Sequence, residues 1–301
     1  MKPLITVIAG PTASGKTDLT IRIAQKINAE IISFDSRQCY IELNIGVARP
    51  SADQLAAVTH HFIANRSIHD PFSSATFAEE ARNKIEEILK LQKNVVLCGG
   101  TGLYLKAVLE GFSVLPENSS EIREYVESVW REDQLAGLIN LISKLDAEAL
   151  TMVDSKNTAR LKRTAEILLG GDNRSLKAIM APKTPPINYP YQIFCLIPDR
   201  TLLYKNIDSR VESMIQHGLL AEVERLVPFK HLPVLKTVGY TELFDFLDGK
   251  TTLEFAVDKI KQHTRNYAKR QITWFKNQTN AEILNPTTES DIFLESFKSQ
   301  P

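Results

Sequence analysis

The chain has 301 residues, 43% of them hydrophobic and 24% charged, the composition of an ordinary globular protein with a sizeable core rather than a disordered or fibrous one. Thirty-six basic residues cancel thirty-six acidic ones, so no global field draws the protein to a polyanion or an anionic membrane, and any such binding must come from local clusters of charge. Three cysteines (Cys39, Cys98, Cys195) with no C-x-x-C pair exclude a readable disulfide framework or zinc site and suit a reducing cytoplasm.

The first apolar run, Leu4–Ala9, ends in Gly10-Pro11. It is too short for a signal-peptide core or a membrane span, and no later apolar run reaches membrane length, so a soluble, cytoplasmic protein without a membrane partner is expected. The run itself predicts a buried parallel strand. Lys16–Ile27 carries a helical pattern, Glu30–Phe34 and Val95–Cys98 read as further strands, and Ala78–Leu91 between them is an amphipathic helix. Strands alternating with helices predict a parallel sheet covered on both faces.

The pattern changes near residue 113. Pro116-Glu117-Asn118-Ser119-Ser120 reads as a linker with a helix start inside it. Helices are predicted over Glu121–Arg131, Gln134–Lys144 and Thr158–Leu169, with no strand among them. Pro182, Pro185, Pro186 and Pro190 punctuate a return to an apolar strand, Tyr191–Ile197. Helices follow at Leu202–His217, Leu219–Leu226 and Leu253–Lys276, with a last short strand at Ala281–Leu284. The expected fold is α/β: a P-loop NTPase-like parallel sheet core (residues 1–113 and 186–301) with helices on both faces, interrupted by a small all-helical insertion (residues 114–185).

Gly10-Pro11-Thr12-Ala13-Ser14-Gly15-Lys16-Thr17 fits G-x-x-x-x-G-K-[ST] between a predicted strand and a predicted helix. Glycines let backbone fold around phosphate oxygens, and successive N–H groups point inward at a helix N-terminus, where an anion is favoured. Lys16 adds a full charge for the terminal phosphate, and Thr17 a hydroxyl for Mg²⁺. Such a loop serves ATP- and other nucleotide-binding proteins, and does not name the reaction. An NTP hydrolase usually ends a later strand in a metal-holding acid, but Val95–Cys98 ends in Gly99-Gly100-Thr101. The acid follows the second strand instead, as Asp35. The carboxyl ends of strands are where ligands sit in such sheets, so Asp35 and Thr101 should face the crevice of the phosphate loop. Asp35 as a helix cap is the plainer alternative.

From Lys259 to Lys276 the chain carries six basic residues and no acidic one, with Lys261, Arg265 and Lys269 at i, i+4 and i+8 and Arg270 beside them. Such a stripe can track a phosphate backbone, or can be a solvated helix face. Trp274 and Phe275 read as core, as do Cys98 and Cys195.

Taken together these segments resemble the tRNA dimethylallyltransferase (isopentenyltransferase) family of the bacterial type. The pieces are GPTASGKT at 10–17, DSRQCY at 35–40, NIGVARP at 44–50, His60-His61 and GGTGLYLKAVLEG at 99–111. They continue with ARLKRTAEILL at 159–169, RVESMIQHGLLAEVERL at 210–226, TVGYTEL at 237–243 and TRNYAKRQITWF at 264–275. The resemblance implies transfer of a dimethylallyl group from dimethylallyl diphosphate to N6 of the adenosine 3′-adjacent to the anticodon, with Mg²⁺ and release of diphosphate. On that reading Gly10, Pro11, Thr12, Ala13, Ser14, Gly15, Lys16, Thr17 and Arg210 hold diphosphate, and Asp35, Thr101 and Lys16 are catalytic. Asp35 would accept the N6 proton, and Thr101 would bond diphosphate or steer the amine. Asp35, Ser36, Arg37 and Gln38 would meet the extruded adenosine and its neighbours in the tRNA anticodon loop. Lys261, Arg265, Lys269 and Arg270 would line the tRNA, as would Arg123, Arg160 and Arg163 of the insertion. The chain is expected to act as a monomer. Departures from the family pattern at Arg37, Cys39, Asn44 and Asn206 remove no proposed catalytic group. Other readings of the same residues are prenylation of a free adenine nucleotide, a small-molecule P-loop kinase and a non-enzymatic nucleotide-dependent RNA binder.

Overall fold

The computed structural model describes residues 5–70, 72–116, 119–181 and 184–297. Leu4 of the first apolar run, Glu117 and Asn118 of the polar junction, and Pro182 lie outside them. Backbone contacts divide the chain into two compact units, Met1–Val108 with Asn188–Pro301, and Leu109–Ile187.

The first unit opens with β1 (Ile5–Ala9), α1 (Lys16–Lys26) and β2 (Ala29–Ser33), then α2 (Ala52–Ala57), β3 (His60–His61), α3 (Ser74–Lys90), β4 (Asn94–Gly99) and α4 (Gly102–Glu110). Every residue of β1 and β2 is buried, the polar Thr6, Glu30 and Ser33 included, as a sheet covered on both faces requires. The two residues of β3 were not foreseen: they read as a histidine pair, and a strand of that length has no period to show. α2 was also missed, although Ser51 and Gln54 form a full capping box at its start.

The second unit holds α5 (Ser120–Leu145), α6 (Ala149–Met152), α7 (Thr158–Leu169) and α8 (Leu176–Met180), with no strand among its described residues. α5 is two helical stretches joined across Asp133 and Gln134, whose backbone is non-helical (Gln134 φ 48°), which is the break between the two predicted helices. α5 and α7 pack around Val126, Leu138, Ile142, Leu161 and Ala165, giving this unit its own core.

The chain then returns as β5 (Tyr191–Leu196), α9 (Arg200–Gln216), α10 (Leu219–Leu226), α11 (Tyr240–Leu247), α12 (Leu253–Gln278), β6 (Glu282–Leu284) and α13 (Pro286–Ser296). The six strands form one sheet in the order β3-β2-β4-β1-β5-β6, every pairing parallel. One of the sheet's cores joins Ile8, Ile31, Val96 and Phe194 to α1 residues Leu19 and Ile23 and to Phe293 of α13. A second, off the sheet, packs α10, α11 and α12 around the fully buried Leu219, Leu235 and Tyr240. Cys39, Cys98 and Cys195 are unpaired and buried, and burial lifts the thiols of Cys39 and Cys195 to about 12.

Candidate active site

Strand register brings the site together. Ala9 at the end of β1 pairs with Gly99 and with Cys195, and Ser33 at the end of β2 pairs with Cys98. The segments leaving those strands, Gly10–Thr17, Phe34–Gln38 and Gly100–Thr101, therefore start from one edge of the sheet. Residues 12–17 and 35–38 line a cleft of about 510 Å³ there, with Gly99 at the end of β4.

Gly10 lies so close to β5 that a Cβ would meet the Leu196 carbonyl oxygen at 2.7 Å, so no other residue fits without moving the strand. Gly15 is left-handed (φ 82°) and caps α1 with no side chain, leaving the first amides of that helix open to an anion. The Lys16 ammonium donates to the Pro11 carbonyl at 3.1 Å. Burial pushes its pKa below the usual lysine value, an effect that Cys98 and Asp35 oppose and the Arg210 guanidinium reinforces. Ser14 is 3% exposed, and its hydroxyl finds no partner among the described residues. An anion seated in the loop would meet a charge, several amides and this hydroxyl. Arg210, from α9, reaches Thr12 Oγ1 at 3.5 Å, and burial lowers its pKa.

Asp35 Oδ1 accepts from the amides of Arg37 (2.9 Å) and Gln38 (3.3 Å). The capping reading of this residue is therefore met, though over a turn rather than a helix. The carboxylate also lines the cleft, and Oδ2 has no hydrogen-bond partner among the described residues. Thr101 Oγ1 accepts the Ser36 amide at 3.1 Å and lies 3.4 Å from Ser36 Oγ, tying the end of β4 to the Asp35 turn. Gln38 is less available than the sequence suggested. Its Nε2 donates to the carbonyls of Val47 (3.2 Å) and Ala48 (3.0 Å), so reading a base would mean exchanging those bonds. Arg37 lines the cleft, donates through Nη1 to Ser36 O at 3.1 Å and has a buried Nε without a partner.

Three residues that build the site were given no place in it by the sequence reading. Gln271 of α12 bonds both Thr12 and Gly100 (3.0 and 2.9 Å). Glu222 of α10, 2% exposed, accepts the amides of Asn44, Ile45 and Gly46 (2.8 to 3.1 Å) and the hydroxyl of Tyr240 (2.7 Å). It thereby holds the loop that forms one wall of the cleft. Tyr267, also on α12, lines the cleft; burial of its hydroxyl end and the nearby Asp35 raise its pKa to about 12. Each lies in a helical segment that carries the family resemblance, but a single polar residue on an amphipathic helix carries no signal of what it bonds.

The basic stripe of α12 is less free than its spacing implies. Lys261 pairs with Glu212 at 2.7 Å, and Arg265 with Asp208, both acids on α9. Lys269 and Arg270 stay exposed, 5.8 Å from the Tyr204 ring centre and 5.7 Å from that of Tyr267. In the other unit, Arg160 and Arg123 are exposed with no side-chain partner among the described residues, whereas Arg163 pairs with Glu166 at 3.0 Å. Trp274 and Phe275 do pack inward, Phe275 fully buried and Trp274 against Gly102. Asn206 reaches the loop, donating to the Ala13 carbonyl at 3.4 Å.

A phosphate loop at the carboxyl end of an all-parallel sheet, with the Asp35 carboxylate in the same cleft, is the arrangement of a P-loop protein. Comparison with known proteins narrows the class. The sequence model of the family described as "IPP transferase" matches residues 38–278, and the chain belongs to that family. It is 41% identical to a tRNA dimethylallyltransferase of Chloroherpeton thalassium, over 98% of this chain and 93% of the relative. Among solved structures it is similar to the full-length tRNA isopentenylpyrophosphate transferase of Bacillus halodurans, with TM-score 0.72 and 32% identity over 98% of this chain and 94% of that one. It is also similar to a tRNA isopentenylpyrophosphate transferase of Staphylococcus epidermidis, with TM-score 0.70 and 33% identity over 98% and 97% of the two chains.

Proposed function

We propose that this protein transfers the dimethylallyl group of dimethylallyl diphosphate to N6 of the adenosine beside the 3′ end of the anticodon in tRNA, releasing diphosphate. The observation that carries the reading is the meeting of two unlike groups in one cleft: the phosphate loop with Lys16, and the Asp35 turn, which Thr101 ties to the end of β4. The amine nitrogen attacks the primary allylic carbon, the carbon–oxygen bond breaks, and its electron pair leaves on diphosphate. Lys16, Arg210, the loop amides and the Ser14 hydroxyl stabilise the charge that builds there, the kind of term that is often largest in catalysis. Asp35 Oδ2 takes the proton lost from N6, while Oδ1 keeps its turn in place.

Mg²⁺ fits this site as an ion carried on the diphosphate rather than in a protein cage. Thr17 supplies one hard oxygen, and no cluster of three His, Cys, Asp or Glu side chains stands among the described residues. When bound, it would neutralise diphosphate charge. The adenosine has to leave its stack in the anticodon loop to reach the cleft, and the exposed Lys269 and Arg270, with Arg123 and Arg160 of the other unit, are candidates to meet RNA phosphates, none of them held by an acidic side chain among the described residues. No helix among the described residues is long and apolar enough to cross a membrane. Three unpaired cysteines agree with a cytoplasmic setting, and we take the protein to act as a monomer.

The test is incubation of the purified protein with labelled dimethylallyl diphosphate, Mg²⁺ and either unmodified tRNA or AMP. Label is expected on tRNA alone. Label on AMP alone would reassign the acceptor to a free nucleotide, and no transfer with consumption of ATP would replace the reading with a kinase.

A further inference from the structure

Gln271 is 6% exposed on the buried side of α12 and makes two bonds that span most of the chain. Its Oε1 accepts the Thr12 amide at 3.0 Å, and its Nε2 donates to the Gly100 carbonyl at 2.9 Å. The partners fix the orientation of the side-chain amide, since a backbone N–H can only donate and a carbonyl can only accept. The approach depends on Gly100: a Cβ there would lie 2.2 Å from Gln271 Nε2. From Gly100 the connection runs through Thr101, which holds the Ser36 amide at 3.1 Å beside Asp35. On the other side, Thr12 Oγ1 is 3.5 Å from Arg210.

We infer that Gln271 is a positioning residue for group transfer: it fixes the spacing between the loop that grips the diphosphate and the Asp35–Thr101 segment that receives the adenosine. The inference rests on the reaction proposed above. Transfer between two separately held partners requires the reacting atoms within about 3–3.5 Å, and a misplacement of about 1 Å can cost on the order of 100-fold in rate. Among the described residues, Gln271 is the side chain that hydrogen-bonds both the loop and the Thr101 segment, which are otherwise joined through the pairing of β1 with β4. A neutral planar amide, one edge accepting and the other donating, bridges the two. A carboxylate would repel the Gly100 carbonyl, and an apolar side chain of equal length would bond neither side. The same geometry turns the Thr12 N–H away from the anion, so the diphosphate takes amides further along the loop.

Two variants and one exchange measurement test this. Gln271→Met fills the volume without the bonds, and its single-turnover transfer rate should fall on the order of 100-fold while KM for tRNA and for dimethylallyl diphosphate stays within about two-fold. Gln271→Glu can restore both bonds only when protonated, its carbonyl oxygen accepting from Thr12 and its hydroxyl donating to Gly100. The ratio of its rate to that of the unmodified enzyme should therefore rise as pH falls, while the ratio for Gln271→Met stays flat. In the unmodified protein, hydrogen exchange should find the Thr12 amide protected without ligand and unchanged by inorganic diphosphate, as the amides of Gly15–Thr17 slow. A Met variant at near-normal rate, a pH-independent Glu ratio, or a Thr12 amide protected only when diphosphate is added would each overturn the inference. If the unmodified enzyme moves no label from dimethylallyl diphosphate to tRNA, it is the reaction that fails, and the exchange pattern still decides the role of Gln271.

Discussion

The two oxygens of Asp35 have separable work, and two substitutions tell them apart. Asp35→Asn keeps an acceptor for the amides of Arg37 and Gln38 but cannot take a proton. Transfer should fall by about 10²–10⁴, with folding and diphosphate binding unchanged by urea titration and equilibrium dialysis. Asp35→Ala should lose the same rate and, in addition, about 1 kcal/mol of stability from the uncapped turn. An Asn variant that turns over normally removes Asp35 from proton transfer. Glu222 makes the opposite case, a buried carboxylate whose work is structural. Its oxygens serve three amides of residues 44–46 and the Tyr240 hydroxyl, and burial and this carboxylate raise the Tyr240 pKa, keeping the phenol a donor. Glu222→Ala strands those donors at about 1–3 kcal/mol for a buried one, so a loss of about 3 kcal/mol or more is expected in urea unfolding. A loss below about 1 kcal/mol would mean that water replaces the carboxylate.

α12 shows how one element can serve two purposes and how its sequence misleads about one of them. Its basic residues at i, i+4 and i+8 suggest a continuous cationic stripe, yet two of the three are neutralised by α9: Lys261 by Glu212 and Arg265 by Asp208. Those pairs fasten α12 to α9 in the protein without RNA. Lys269→Ala should accordingly reduce the slope of log K against log salt for tRNA binding by about one. Lys261→Ala should leave that slope nearly unchanged and weaken the α9–α12 contact instead. Filter binding across a salt series checks both, and equal slope changes would show that the ion pair opens on RNA. The buried face of α12 meanwhile carries Gln271 and Phe275. Its periodicity announces that this face is buried, but not that a polar residue on it bonds the phosphate loop.

Across the molecule, one buried carboxylate ties stability to pH. Glu30 on β2 accepts from Lys93 at 2.7 Å and pairs with His61 of β3 at 2.6 Å. Burial alone would raise its pKa, but the bonds and charges of Lys93 and His61 outweigh it and hold the group below the usual value of 4.5. A depressed folded value contributes stability that is present above about pH 4.5 and is lost as pH falls through the folded value. Glu30→Gln should therefore be less stable than the unmodified protein at pH 7, and the two should converge in acid. Urea midpoints at a series of pH values test this, and a constant gap would mean that the cluster does not titrate on unfolding.

What local chemistry dictates was legible from the residues alone. The apolar runs of β1, β2, β4 and β5, the amphipathic periods of α1, α3 and α7, the break in α5 and the phosphate loop are all short-range patterns, set by side-chain spacing and backbone preference. Two-residue β3 and the helices α2, α4, α6, α8, α11 and α13 escaped; most are short elements, held by a partner strand, a cap or packing more than by a pattern. Which groups meet was decided elsewhere. The closure of Gln271 on Thr12 and Gly100, the grip of Glu222 on the 44–46 loop and the pairing of Lys261 and Arg265 with α9 all join residues distant in the chain, and the engagement of Gln38 by the 47–48 carbonyls needs a loop that doubles back. Hydrogen bonds and ion pairs depend on distance in space, which only the packed sheet and helices set, so the chain order could name the chemical groups of this site but not their partners.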